Sequence, residues 1–118
     1  MTMKLSTVDF EKGLHHCDDV PSLYREVLQC YLEEFSPLID EDALLASDNE
    51  AKIKIHTLKS LTATIGADTF SEFVGQVFNK WPSLTDSEKR QEIRQLNHFL
   101  FEVNQKVQHY CNENPQTD

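Results

Sequence analysis

Beyond Thr85 the apolar residues Ile93, Leu96, Leu100, Val103, Val107 and Tyr110 recur at alternating three- and four-residue spacing. That period draws one stripe along an α-helix, whereas a strand would alternate every second residue. It predicts a long final helix, opened by Thr85 and Glu88 as a capping box. A helix with one apolar stripe must bury it against other elements, so the remaining chain has to supply them.

It offers four. Residues 6–16 predict a short opening helix with Ser6 or Thr7 as cap, apolar at Val8, Phe10 and Leu14 and weakened by Gly13. Asp18 and Asp19 offer a second cap, followed by Pro21 near a first helical position, where a missing N–H costs little. From there Val20, Leu23, Val27, Tyr31, Phe35, Leu38, Asp42 and Leu45 follow helical spacing, interrupted by one polar residue. Pro37 falls inside that run and predicts a kink, not a break, because the stripe resumes in phase. Ser47, Asp48 and Asn49 mark a stop and a start, after which Ala51, Ile55, Leu58, Thr62 and Ile65 line the next helix. Gly66 ends it in a left-handed conformation. Asp68 caps the following helix, whose stripe reads Phe70, Phe73, Val74, Val77, Phe78 and Trp81. Pro82 closes it by turning Trp81 from helical geometry.

The expectation is therefore all-α: an antiparallel four-helix bundle with a short additional N-terminal helix. One domain spans 1–112, with a polar, frayed tail at 113–118. At 118 residues the chain can bury a core without disulfide or metal staples. Cys17, Cys30 and Cys111 are odd in number and form no Cys-x-x-Cys pattern, which predicts free thiols in a reducing cytoplasm. A net charge of −9 argues against nucleic acid as a partner. The absence of long apolar runs and of a signal-peptide pattern argues against a membrane and predicts a cytoplasmic protein.

Chemistry concentrates in Ile55-His56-Thr57-Leu58-Lys59-Ser60, with Gly66-Ala67 ten residues beyond the histidine. His56 and Lys59 are three apart and share a helical face, while Ile55 and Leu58 flank them on the buried side. Neutral imidazole is a good nucleophile, and a nearby ammonium neutralises charge on transferred oxygens. Phosphoryl transfer needs little more than such positioning and electrostatics. A lone His-x-x-Lys on an amphipathic helix is common, however, and by spacing alone reads as a solvated face.

The wider string His56-Thr57-Leu58-Lys59-Ser60-Leu61-Thr62-Ala63-Thr64-Ile65-Gly66-Ala67 resembles the signature of histidine phosphotransfer (HPt) domains. There a histidine, any residue, leucine, lysine and usually glycine lead into a small-residue helix ending in glycine-alanine. The resemblance covers most of the chain, residues 23–45 being similar to the family's long helix with an internal proline. It implies a four-helix bundle with the phosphoacceptor on the solvent face of its second helix, phosphorylated at Nε2, although residues 23–45 are themselves similar to the family's long second helix. It further implies a phosphoryl carrier with no kinase activity of its own and no cofactor, the Mg²⁺ belonging to the partner.

Transferred residue by residue, His56 would be the phosphoacceptor, Lys59 the cation near the phosphoryl group and Gly66 the terminating glycine. Ser60 stands where the family usually has glycine, though some members also read His-x-Leu-Lys-Ser. Phe78 occupies the position, twenty-two residues past the histidine, that often holds Glu or Gln to orient the ring. Gln76 is on the wrong face to replace it, so another group orients His56 or packing alone holds it. Phe78 then belongs either to a docking patch or to the core.

The implied partners are the receiver domain of a hybrid sensor histidine kinase and that of a response regulator, bound by a monomer. Phe10, Leu14 and Leu23 are candidates for the docking surface, though they suit the core equally. The alternative is a catalytically silent HPt-like adaptor, favoured by Phe78. No metal site is expected: His15, His16 and Cys17 point in different directions along a helix, with no completing ligand pair. His98 and His109 read as solvent-facing, and Asp40, Glu41 and Asp42 as a solvated acidic turn.

Overall fold

The structure, a computed structural model, describes residues 5–115. The first four residues and residues 116–118 of the polar tail lie outside the described residues. The described chain is all-α: α1 (Phe10–His16), α2 (Pro21–Phe35), α3 (Glu41–Ala46), α4 (Asp48–Ile65), α5 (Asp68–Lys80) and α6 (Asp86–Glu113), with a 3₁₀ turn at Trp81–Ser83. Among the described residues there is no strand, and no helix is long and apolar enough to cross a membrane.

The α6 helix, at 28 residues, is roughly 42 Å long and sets the long axis of a molecule measuring 48 × 33 × 21 Å. Its stripe from Ile93 to Val107 is fully buried, with Asn104 and Cys111 beside it. Thr85 and Glu88 close the expected capping box, each side chain bonded to the other's backbone N–H at 3.2 and 2.9 Å. The α4 stripe of Ala51, Ile55, Leu58, Thr62 and Ile65 is likewise wholly buried. Ser47 caps its start, accepting from the Glu50 N–H at 3.2 Å, and Gly66 ends it at φ +99°.

The opening helix starts later than the spacing predicts. Asp9, not Ser6 or Thr7, caps it by accepting from the Lys12 N–H, and Ser6 instead receives the Lys106 ammonium on its carbonyl and hydroxyl. Gly13 is no mere weakness. A Cβ there would stand 2.3 Å from the Ile65 carbonyl oxygen and 2.5 Å from the Tyr24 hydroxyl, so only glycine lets α1 cross the end of α4 this closely. Asp18 and Asp19 do not cap α2. They take consecutive left-handed conformations (φ 57° and 59°), which short polar side chains tolerate, and Val20 begins α2 without a side-chain cap.

The buried face of α2 is Tyr24, Leu28, Tyr31 and Phe35, rotated from the expected stripe so that Val20, Leu23 and Leu38 are exposed. The chain also breaks at Pro37, where a kink was expected. α2 ends at Phe35 and α3 begins at Glu41, capped by the Asp40 carboxylate. Two asparagines two turns apart on α6 satisfy the freed backbone. Asn97 both accepts from the Ile39 N–H and donates to its carbonyl, each at 2.9 Å, and Asn104 donates to the Phe35 carbonyl at 2.8 Å. With those groups paired, ending the helix costs less than bending it. The acidic turn at the start of α3 is ion-paired, not simply solvated: Glu41 binds Arg90 and Arg94, and Asp42 binds Arg90.

The start of α5 differs in the same way. Ala67 holds its N-cap position without a side-chain bond, and Asp68, already inside the helix, pairs with Lys12 of α1. Trp81 keeps helical dihedrals (φ −50°, ψ −48°) despite the following Pro82, and the chain tightens into the 3₁₀ turn. Its indole is fully buried with the Lys89 ammonium 5.3 Å from the ring centroid.

Candidate functional site

The α4 helix lies along α5 more closely than along any other element. Its two faces divide cleanly: Ile55 and Leu58 are fully buried, while His56, Lys59 and Ser60 are exposed. This follows from the 3.6-residue period, since Ile55, Leu58 and Thr62 anchor the inner stripe and positions one residue on are turned about a hundred degrees outward. The structure therefore brings His56, Lys59 and Ser60 onto one accessible face.

The opposing stripe of α5 is Ser71, Gly75 and Phe78, spaced four and three apart. Each meets a different part of the α4 face. The Ser71 hydroxyl donates to the Lys59 carbonyl at 2.8 Å. Thr62 donates to the Leu58 and Lys59 carbonyls at 2.7 and 3.0 Å, so this turn of α4 is bonded from within and from α5. The Lys59 stem lies over Gly75. Phe78 meets the imidazole of His56, ring centroids 5.7 Å apart and planes inclined at 50°.

Of the two ways to hold His56, packing is the one observed. Among the described residues no side chain hydrogen-bonds its imidazole, and the Phe78 ring lies against it. Phe78 is half-buried and packs on the core cluster as well, so it serves core and site together. Gln76 is exposed and turned away, as its spacing requires.

Electrostatics on this face depart from the acidic average of −9. Lys52 precedes His56 by one turn and Lys59 follows it by one turn. Among the described residues neither joins an ion pair. Lys54, between them in sequence, points elsewhere: it binds Glu34 at 3.1 Å and sits 4.9 Å from the Phe35 ring centroid. Ile53, one turn before His56 on the same side, is 59% exposed, the most accessible large apolar residue among the described residues.

The remaining candidates fall elsewhere. Gly66 is structural: its carbonyl accepts from the Asp9 N–H at 2.9 Å and ties α1 to the end of α4. Phe10 stacks on Tyr110 with centroids 4.3 Å apart, on the α1–α6 side, and Leu14 is half-buried against the core. Leu23 alone of the three docking candidates is exposed, at 42%. His16 approaches the Thr64 carbonyl at 3.2 Å and His15 pairs with Asp19 at 3.4 Å, while His98 and His109 are exposed. The three cysteines are free. Burial pushes the Cys17 and Cys111 thiols up from their ordinary values, and Cys30 is exposed.

Gly75 is the residue of this site that spacing alone does not reveal. Its signal was present, since a glycine in a helix interior costs roughly 1 kcal/mol against alanine and asks for a packing reason. Comparison of the chain with family models, with curated proteins and with solved structures finds no match, so what His56 does is read from its own surroundings.

Proposed function

We propose that this chain is a phosphorelay carrier of the HPt type, with His56 the phosphoacceptor. The observation that carries the reading is an exposed imidazole anchored over a fully buried stripe, with Lys59 one turn beyond it on the same face. In this reading Nε2 attacks the phosphorus of a receiver's aspartyl phosphate. The new N–P bond replaces the acyl O–P bond, and the aspartate leaves as carboxylate. The reverse step delivers the phosphoryl group to the aspartate of a second receiver. Lys59 lowers the energy of the charge on the equatorial oxygens, and each receiver brings its own Mg²⁺.

The carrier is no enzyme in its own right and acts as a monomer in the cytoplasm. Its partners are the receiver domain of a hybrid sensor kinase and that of a response regulator. Receivers dock on the His56 face, where Ile53 and Phe78 offer apolar contact and Lys52 and Lys59 meet the acidic pocket; Leu23, exposed on α2, is the remaining candidate for the docking surface. The same reading takes α2, α4, α5 and α6 as the antiparallel four-helix bundle, with α1 the additional N-terminal helix and α3 a short insertion.

A silent adaptor is the second reading, favoured by the apolar contact of Phe78 where a hydrogen-bonding group would orient the ring. Transfer from a pre-phosphorylated receiver separates the two, with wild type and His56→Gln compared. Acid-labile label on wild type and none on the variant is the expected result. Label on His56→Gln would refute the assignment of the nucleophile. No label on wild type, from several receivers competent toward other carriers, would favour the adaptor over the carrier.

A further inference from the structure

We infer that Gly75 is a positioning residue: its bare backbone forms the bed on which the Lys59 stem lies, and so fixes where the ammonium stands on the His56 face. The inference rests on the carrier reading for its catalytic consequence, but not for its structural content.

The three glycines of the chain differ in what an added Cβ would meet. At Gly13 the nearest atoms include the Ile65 backbone, at 2.3 and 2.7 Å, and at Gly66 they are the Asp9 and Gly13 backbones. Those two glycines let rigid elements approach each other, and the fold requires them. At Gly75 the three nearest atoms all belong to one side chain: Lys59 Cε at 3.1 Å, Cδ at 3.5 Å and Nζ at 3.8 Å. The far end of an exposed lysine is free to swing into solvent. A Cβ at 75 therefore presses on the Lys59 stem and on no backbone, and a larger side chain there would take the place the stem occupies.

Two further contacts narrow the lysine's freedom. Its carbonyl accepts the Ser71 and Thr62 hydroxyls, so the backbone from which the stem departs is held from both helices. Gly75 is also one turn from Phe78, which touches the imidazole. The stem thus lies over Gly75, on the α5 stripe that runs from Ser71 to Phe78. A long flexible side chain held in this way gives up its rotamer entropy on folding and not at the moment of transfer.

The test uses the full chain carrying Gly75→Ala, Gly75→Leu, Lys59→Ala and the two double substitutions. Alanine is a better helix former than glycine, so Gly75→Ala should keep or raise the thermal midpoint by a few degrees at most, and circular dichroism checks that the bulkier Gly75→Leu stays folded. Single-turnover transfer from a phosphorylated receiver should nevertheless slow by about threefold for Gly75→Ala and by about tenfold for Gly75→Leu, the latter matching Lys59→Ala. In the Lys59→Ala background either change at 75 should alter the rate by less than about twofold. Wild-type transfer by Gly75→Leu, or additive losses in the double variants, would overturn the proposal.

Its structural content has a readout that does not depend on transfer. ¹³C relaxation should find the ε-methylene of Lys59 more ordered than that of Lys52 in wild type, and equally mobile in Gly75→Leu. Equal mobility in wild type would overturn the proposal even where transfer proceeds. An ordered Lys59 in a chain that accepts no phosphate would keep the bed and remove the carrier.

Discussion

Replacing Gly66 by alanine should unfasten α1, and the size of the effect follows from two terms. The first is conformational. Gly66 sits at φ +99°, where an L-residue with a Cβ pays about 1–2 kcal/mol. The second is steric. The new Cβ would stand 2.0 Å from the Asp9 carbonyl oxygen, against a comfortable C···O separation of roughly 3.3 Å. Nothing flexible lies there, because all three nearest atoms are backbone. The start of α1 must therefore retreat by roughly 1.3 Å, the difference of those separations. Such a retreat breaks the 2.9 Å bond from the Asp9 N–H to the Gly66 carbonyl, worth about 1 kcal/mol. It also loosens Gly13 from the Ile65 carbonyl. The sum is about 3 kcal/mol, a large fraction of the roughly 5–15 kcal/mol that holds a domain together.

Urea unfolding followed by far-ultraviolet circular dichroism measures that loss, and the thermal midpoint should fall by roughly 10–15 °C. Gly66→Asn divides the two terms. Asparagine adopts the left-handed region more readily than alanine but carries the same Cβ. If the clash dominates, asparagine should cost as much as alanine; if backbone strain dominates, it should recover about half. A loss for Gly66→Ala no larger than the roughly 1–2 kcal/mol of backbone strain would refute the steric reasoning.

Asn97→Ala strips the Ile39 N–H and carbonyl of their shared partner beneath a buried side chain, and should cost about 2 kcal/mol in urea unfolding. A loss under about 0.5 kcal/mol would mean that water replaces both bonds at the α2–α3 break. Glu41 predicts an acid-side effect. The Arg94 guanidinium first, then Arg90, holds its carboxyl below the ordinary 4.5. The unfolded chain thus binds that proton at higher pH than the folded one. The contribution to stability is present above about pH 4.5 and disappears as pH falls through the lower folded value. Glu41→Gln should therefore unfold more easily than wild type at pH 7, by a margin that shrinks as pH falls below 4.5; a pH-independent difference would contradict this.

What spacing made legible was what the chain decides locally. The inner stripes of α4 and α6, the Thr85–Glu88 box and the left-handed Gly66 each depend on residues within a turn or two, and each was read correctly. The phase of α2 was not. Leu23 adjoins Tyr24 and Val27 adjoins Leu28, so two helical stripes fit equally as far as Tyr31 and Phe35. The choice is made by Tyr24, whose hydroxyl finds the Ile65 carbonyl at 2.7 Å from the far side of the core. Pro37 breaks the chain because Asn97 and Asn104, far along α6, accept the consequences. Gly75 belongs to the same class, since its partner is a lysine sixteen positions earlier. At the candidate site, the face holding His56, Lys59 and Ser60 was legible, while the place of Gly75 under Lys59 was not.

The contact of Phe78 with His56 bears on which of the two functional readings is stronger, and the magnitudes decide it. A glutamate or glutamine at 78 would select the tautomer that leaves Nε2 free to attack. Phe78 selects neither tautomer, because a ring face offers no acceptor of comparable strength. If the reactive tautomer were only one part in about five, the barrier would rise by about 1 kcal/mol, a rate loss of about fivefold. An electrostatic partner at the transferred group is worth more, about tenfold for an exposed ammonium such as Lys59. The nucleophile itself is worth the whole reaction. A chain that keeps the imidazole exposed, keeps Lys59 on its face and relinquishes only the tautomer choice has lost the least of the three terms. In the carrier reading the Lys59 stem over Gly75 has a use that the adaptor reading does not supply, and the rates of the Gly75 and Lys59 variants decide between them.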